Sequence, residues 1–344
     1  MKIAIVTDAW RPQINGVVTT LVDLQQRLEL SGHEVLVIEP GLFNTMACPG
    51  YREIRLAWLP RRKLARTLRE ARPDAIHIAT EGPLGLAARN HCLQAGLPFT
   101  TAFHSRFPDF LETALGMPAG WGYAALKWFH KPSSAVMAPS SGAADILVKR
   151  AFPKVRRWSH GIDLDLFKPG AATALDLPRP VFLFVGRVSR EKNLEAFLQL
   201  DLPGSKVVAG DGPMLSTFRF AYPEVRWLGA LPRPELVGLY NAADVFVHPS
   251  LTDTFGLVML EALACGTPVA AFPVVGPLDV IGDSDAGVLS DDLRAAALAC
   301  LSIPRDRPRA RALTFDRDQV ARDFVGHLAR IDGCRAKKTS CAPA

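Results

Sequence analysis

Short apolar runs, each followed by a stretch at helical spacing, recur along almost the whole chain. The first two, Ile3–Val6 and Glu34–Ile38, flank a Gly/Pro/Asn loop and a helix expected from about Val17 to Leu30. Runs this short and this apolar, interleaved with helices, read as strands of a parallel sheet covered on both faces. Further strands are expected at Ala75–Ala79, Pro98–Phe103 and Ala135–Ala138. The text then changes to SHGIDLDLFKPGAATALDLPRP over 159–180, where Pro, Gly and Ala crowd together as in a linker. Alternation restarts beyond it, with strands expected at Val181–Val185, Lys206–Ala209, Val225–Leu228, Val245–Val247, Val269–Phe272 and Val288–Leu289. Helices are expected over 191–200, 213–221, 233–242, 256–265 and 291–302. The pattern therefore predicts an α/β chain with two doubly wound domains, 1–158 and 179–312, joined by a linker over 159–178 and facing each other across a cleft. A C-terminal helix over 313–334 is expected to pack back toward the first domain, leaving 335–344 as a tail that frays.

Composition narrows the function classes. Of 344 residues, 49% are hydrophobic and 22% charged, which suits a folded core and excludes wholesale disorder. No apolar run approaches the roughly 18 residues that cross a bilayer, and the N-terminal stretch meets Asp8 too soon for a secretory signal, so a cytoplasmic protein is expected. Six scattered cysteines without a C-x-x-C pair signal neither a disulfide framework nor a zinc site. The net charge of +6 lies in the first half: residues 1–170 hold 21 basic and 14 acidic side chains (+7), and the rest hold 19 and 20 (−1). An excess of that size suits an anionic surface or ligand and is too weak to argue for nucleic acid.

In open parallel sheets ligands gather beyond the carboxyl ends of the strands. After the first strand comes a loop from Thr7 and Asp8 to Asn15 and Gly16, then a helix start whose free N–H groups could meet an anion; an ordinary strand-to-helix turn reads equally well. The dinucleotide pattern G-x-G-x-x-G is absent there. After Val181–Val185 come Gly186, Arg187 and, five residues on, Lys192: a guanidinium fork and a point charge beside a helix terminus, suited to a diphosphate, with a solvated charge cluster as the alternative. Gly210-Asp211-Gly212-Pro213 would let backbone come close to a nucleotide or to the sheet edge. Asp253 precedes an apolar helix through Phe255, Gly256 and Leu257, and Glu261 sits within it, where a carboxylate is costly to bury unless hydrogen-bonded. A ribose diol would satisfy Glu261.

The carboxylate, seven residues and then Glu, with Phe-Gly inside, resembles the E-x7-E motif of the retaining nucleotide-sugar glycosyltransferases of family 4, which have the GT-B fold of two Rossmann-like domains. Gly-Arg-x4-Lys at 186–192, Gly-Asp-Gly-Pro at 210–213, Gly-Ile-Asp-x3-Phe-x-Pro at 161–169 and Asn15-Gly16 match the same family in order, across residues 1–330. The resemblance implies an N-terminal acceptor domain and a C-terminal donor domain. It implies that Arg187 and Lys192 bind the donor diphosphate, Glu261 the ribose and Asp253 the sugar hydroxyls, with Gly210, Phe255, Gly256 and Leu257 also at the donor and Gly16 on its phosphate side. His104, ending the strand Pro98–Phe103, matches the active-site histidine. The family usually has Glu where this chain has Asp253, a difference of about 1.5 Å in reach that matters in a positioning site. The implied chemistry is transfer of a hexose or hexuronic acid with retention, from a nucleotide diphosphate sugar as co-substrate, a UDP-sugar foremost, with no metal or other cofactor. Asp163-x-Asp165, Asp283-x-Asp285 and Asp316-x-Asp318 fit the short D-x-D pattern of metal-using transferases, and read here as surface or capping carboxylates.

From Arg52 to Arg72 eight basic residues accompany Trp58, Leu64 and Leu68 at helical spacing. Arg61, Arg62, Lys63, Arg66 and Arg69 with Trp58 suit an anionic lipid surface; a solvated helix is the plain alternative. Leu126-Lys127-Trp128-Phe129-His130-Lys131 forms a second such cluster in the same half. The expectation is attachment to the inner face of the cell membrane and a lipid acceptor such as diacylglycerol, with Glu81 and Asp8 as candidate acceptor contacts. A GDP-mannose-dependent α-mannosyltransferase is the alternative of the same class. A nucleotide-sugar 2-epimerase and a non-catalytic nucleotide-sugar binder are the alternatives of other classes.

Overall fold

The computed structural model describes residues 1–13, 15–48, 51–104, 106, 108, 109 and 118–331, without the side chains of 51–54. The chain divides into two compact units, Met1–Ser159 with Arg317–Ala344, and His160–Asp316. Each is built on one parallel sheet with helices on both faces, because its strands are too apolar to leave either face to water.

In the first unit, β1 (Lys2–Val6) lies between β2 (Glu34–Ile38) and β5 (Ala75–Ile78), followed outward by β6 (Thr100–Ala102), β7 (Val136–Ala138) and β8 (Val155–Arg157). Alternate side chains serve opposite layers. Ala4 and Val6 of β1 pack with Leu64 and Leu68 of α2 (Arg61–Ala71), Leu84 and Ala88 of α3 (Pro83–Ala95) and Phe129 of α4 (Ala119–His130). Ile3 and Ile5 face the other way, onto Leu21, Leu24 and Leu28 of α1 (Gly16–Leu30). The last helix among the described residues, Arg317–His327, joins this second layer: Phe324 is fully buried, and Val320 accepts a hydrogen bond from the Trp158 indole at 3.1 Å. Asn15 caps α1 by accepting from the Val18 N–H at 3.0 Å, and Ser140 caps α5 (Ser141–Lys149) in the same way at 3.1 Å.

In the second unit, β9 (Val181–Val185) lies between β10 (Ser205–Ala209) and β12 (Val245–His248); β11 (Arg226–Gly229) flanks β10, and β13 (Val269–Ala271) and β14 (Gly287–Leu289) extend beyond β12. Val181, Leu183 and Val185 pack under α8 (Arg233–Ala242), α9 (Leu257–Ala264), α10 (Val275–Val280) and α12 (Asp306–Ala312). Phe182 and Phe184 pack against α6 (Leu194–Leu198), α7 (Leu215–Ala221) and α11 (Leu293–Cys300). Both sheets reverse direction at a switch point, between β1 and β5 and between β9 and β12, which is where ligands bind in such sheets.

Three features differ from the sequence reading. The stretch before α2 holds an antiparallel hairpin, β3 (Thr45–Cys48) with β4 (Tyr51–Ala57), whose charged residues conceal its alternation. The expected helix over 191–200 is broken: a 3-10 turn at Arg190–Lys192 ends at Asn193, whose φ of 51° only then lets α6 start. The segment read as a linker belongs to the second unit, since Phe167 is fully buried against Tyr240 and Leu164, Leu166, Leu175 and Leu177 line the same core. The proposed tail over 335–344 lies outside the described residues.

Candidate active site

The loop after β9, which carries Arg187 and Lys192, is fastened by backbone to the loop after β10. Gly186 donates to the Ala209 carbonyl at 3.0 Å, Val188 to Asp211 at 2.9 Å and Met214 to Val188 at 3.0 Å. The loops lie so close that a Cβ on Gly210 would stand 1.8 Å from the Gly186 carbonyl oxygen, and one on Gly212 2.4 Å from that of Val188. The Gly-Asp-Gly turn is thus required by its approach to the neighbouring loop, with no ligand invoked.

Across the switch point, the loop after β12 brings Asp253 to Lys192. The ammonium donates to Oδ1 at 2.6 Å, and His248 Nε2 lies 3.1 Å from Oδ2, within ion-pairing distance though off the line of a hydrogen bond. Burial alone would push the Asp253 carboxyl up; the charge of Lys192, with His248 beside it, outweighs burial and holds the carboxyl well below the usual range. Asn193 donates to the Pro249 carbonyl at 3.0 Å and Thr252 to that of Glu191 at 3.4 Å, so the two loops form one wall. Around them the hydroxyls of Ser189 and Ser250 and Nδ1 of His248 are buried without a hydrogen-bond partner among the described residues.

Gly256 turns the chain into α9 at φ +89°, where a Cβ would meet the Met259 methyl at 2.6 Å. Phe255 beside it is a core residue, edge-on to His160 at 4.9 Å and Phe315 at 6.0 Å, so it anchors the loop and Leu257 starts the helix. Glu261 is buried on α9 and finds its partners within the unit: the Tyr240 hydroxyl donates to Oε2 at 3.0 Å and Arg233 Nε stands 3.5 Å from Oε1. Burial, then the Glu261 charge, pushes the Tyr240 phenol well up, which keeps it a donor. The cost of burying this carboxylate, which suggested a ribose, is met in part by the protein.

The first unit has its own polar edge. Asp8, after β1, accepts from the Thr80 hydroxyl at 2.9 Å and from the N–H groups of Leu84 at 2.9 Å and Gly85 at 3.3 Å, capping α3; burial pushes its carboxyl up despite these bonds. Both oxygens are engaged in this cap, so an acceptor contact from Asp8 would have to share them with it. His104, after β6, stands edge-on to Trp158 at 6.1 Å, and burial pushes it down to about 4, so its imidazole is uncharged at neutral pH. Glu81, after β5, lies 3.2 Å from Nε2 of buried His130. Gly16 opens α1 at an exposed position next to its cap.

Two family models divide the chain much as the sheets do: Glycosyltransferase Family 4 matches residues 14–166 and Glycosyl transferases group 1 matches 171–303. A GDP-mannose-dependent alpha-mannosyltransferase of Mycobacterium tuberculosis is 30% identical over 320 residues, covering 84% of this chain and 83% of that protein. The chain belongs to glycosyltransferase family 4. An alpha-monoglucosyldiacylglycerol synthase of Streptococcus pneumoniae is 27% identical over 352 residues, 88% of this chain and 78% of that one. Among solved structures, a sucrose-phosphate synthase of Thermosynechococcus elongatus superposes with a TM-score of 0.73 at 23% identity, covering 94% and 97% of the two chains, which places this glycosyltransferase in the GT-B fold.

The glycosyltransferase carries its surface cations where the sequence placed them. Arg61, Arg62, Lys63, Arg66 and Arg69 are exposed on α2, beside Trp58 at 57% exposure and Leu59 at 76%. Trp121 and Trp128 project from α4, and the Arg89 guanidinium lies 4.0 Å over the Trp128 ring. Both clusters sit on helices of one layer, α2 to α4 on the Val6 face of the first sheet. Asp163 accepts from the N–H groups of Asp165 and Leu166, both at 3.1 Å, a turn-capping use of that carboxylate. No helix among the described residues is long and apolar enough to cross a membrane. Sequence reading assigned no role to Tyr240, Arg233 or His248, and took His130 only as part of a surface cluster, whereas its ring is fully buried; the end of an apolar strand marks His248, and nothing local marks Tyr240 or Arg233.

Proposed function

We propose that this glycosyltransferase moves mannose, with retention, from GDP-mannose to a hydroxyl of a membrane lipid at the cytoplasmic membrane surface, without a metal ion. The observation that carries the reading is the Lys192–Asp253 pair at the β9–β12 switch point, 2.6 Å apart and opposite a buried His248. A diphosphate at that point would share the Lys192 ammonium with Asp253 and take the Arg187 guanidinium as well, so two fixed cations stabilise the departing phosphate as a metal would. Asp253 would then turn toward the sugar hydroxyls and Glu261 toward the ribose.

The mycobacterial relative, the more similar of the two sequences named, supports GDP-mannose over the UDP-sugar first expected. The diacylglycerol synthase supports a second reading, transfer of glucose to diacylglycerol, for which the donor is the UDP-sugar first expected. The basic, tryptophan-bearing layer of α2 to α4 supports a lipid surface in either case. One assay separates them: the protein is incubated with GDP-mannose or UDP-glucose and dioleoylglycerol in phosphatidylglycerol vesicles. An α-mannosyl lipid formed in EDTA is expected. A β-linked product, chelator sensitivity or equal activity with phosphatidylcholine vesicles at low salt would overturn the retaining, metal-free or anionic-surface part respectively.

A further inference from the structure

Two carboxylates stand beyond β1 and β5, the strands at which the first sheet reverses, and the fold accounts for only one of them. Asp8 has both oxygens committed to Thr80 and the first turn of α3. Glu81, nearer to that helix start in sequence, is left out of the cap. Its Oε1 lies 3.2 Å from Nε2 of His130, and its side chain keeps 30% of its surface exposed. His130 is wholly buried, with its other ring nitrogen 2.9 Å from Thr101 Oγ1, so the imidazole is fixed at both ends. Phe129 and Phe152 pack against that ring at 5.1 and 6.0 Å. Stability alone would be served as well by an apolar side chain at 130; a buried imidazole gripping a part-exposed carboxylate fixes the direction in which its second oxygen points.

We propose that Glu81, oriented by His130, is the acceptor-binding carboxylate of the first unit, and that it accepts a hydrogen bond from a neutral hydroxyl next to the reacting one. The inference rests on the lipid-acceptor reading above and names its class: a glycerol or sugar headgroup bearing a free diol. Glu81 brings a negative charge to this edge, where His104 brings none at neutral pH, so a phosphate beside the reacting hydroxyl is repelled. His130 acts through Glu81 and is a positioning residue.

The test compares wild type with Glu81→Gln, Glu81→Asp and His130→Gln, using GDP-mannose and mixed micelles of monooleoylglycerol, whose glycerol keeps a free diol, or phosphatidylinositol, whose diols lie beside a phosphate, and also without acceptor to follow hydrolysis of the donor. Wild type is expected to prefer monooleoylglycerol. Glu81→Gln should lose about ten- to hundred-fold in acceptor kcat/KM, the scale of one hydrogen bond to a charged group, and narrow that preference, with donor KM and hydrolysis unchanged. Glu81→Asp should retain the preference for monooleoylglycerol, and His130→Gln, which offers an amide N–H in place of Nε2, should retain part of the activity. Unaltered transfer by Glu81→Gln, or an equal loss of hydrolysis and transfer, overturns the assignment of Glu81 alone. Donor hydrolysis by wild type with transfer to neither lipid overturns the lipid-acceptor reading itself.

Discussion

At the scale of single residues, the feature with the most consequence is a carboxylate that the fold keeps ionised against its own burial. Lys192 and Asp253 retain 28% and 15% of their side-chain surface, so the pair is partly shielded from solvent. The folded Asp253 carboxyl lies below its ordinary value near 3.8, so its contribution to stability is present in full above that value and is lost as pH falls through the folded one. Lys192→Ala removes the largest influence that opposes burial and leaves His248 alone to favour the charged form, so the folded carboxyl rises toward its ordinary value and the stabilisation it supplied is lost. The variant is therefore expected to lose about 1–3 kcal/mol at pH 7, less than for a fully buried pair, with the deficit shrinking as pH falls below about 4. Urea midpoints for both proteins from pH 7 to 3 measure it. A deficit that stays constant across that range would mean that Lys192 acts through packing and not through charge.

Elements are held to one another here by the absence of side chains as much as by their presence. Gly210 has a φ of +149° and no room for a Cβ beside the Gly186 carbonyl, whereas Gly229, at φ +71°, has nothing within 4 Å of the Cβ it would gain. Gly229→Ala meets only the backbone penalty of about 1–2 kcal/mol. Gly210→Ala must also force apart the loops after β9 and β10, at roughly 3 kcal/mol or more, and with them the wall that carries Arg187 and Lys192. Thermal melts of the two variants in parallel check the difference, and similar losses would show that the junction yields. Sequence alone could not rank the two glycines, because what distinguishes them is a neighbouring strand's loop. The same limit explains the rest. Strands such as Val181–Val185 were legible because burial on both faces leaves an unbroken apolar run, and Glu261 was legible as a charge in an apolar helix. Its partners Tyr240 and Arg233 come from another helix, and the β3–β4 hairpin shows no apolar alternation, so neither could be read locally.

For the whole molecule, the division of the chain has a property that boundaries read from composition miss. The second unit begins and ends at the same place: Ile162 donates to the Phe315 carbonyl at 3.2 Å and bridges Asp316, so the points where the chain enters and leaves are neighbours. A unit whose ends meet can be excised without opening its core. Phe167, Leu164 and Leu166, which composition assigned to a linker, must go with it, because they close the core under α8 and α9. The first unit has no such freedom, since its core includes Phe324 from beyond the second unit and its Trp158 indole bonds to Val320. A fragment of residues 160–316 is therefore expected to unfold cooperatively on its own. A fragment starting at 179, at the boundary that composition suggested, should be markedly less stable, because it leaves the partners of Phe167 exposed. If the donor groups assigned to the second unit are sufficient, millimolar GDP-mannose should raise the melting temperature of the 160–316 fragment, and Lys192→Ala within it should abolish the shift. A fragment that folds and shows no shift with GDP-mannose or UDP-glucose would mean that donor affinity depends on residues of the first unit, and an unfolded fragment would mean that the meeting of its ends does not make the unit autonomous.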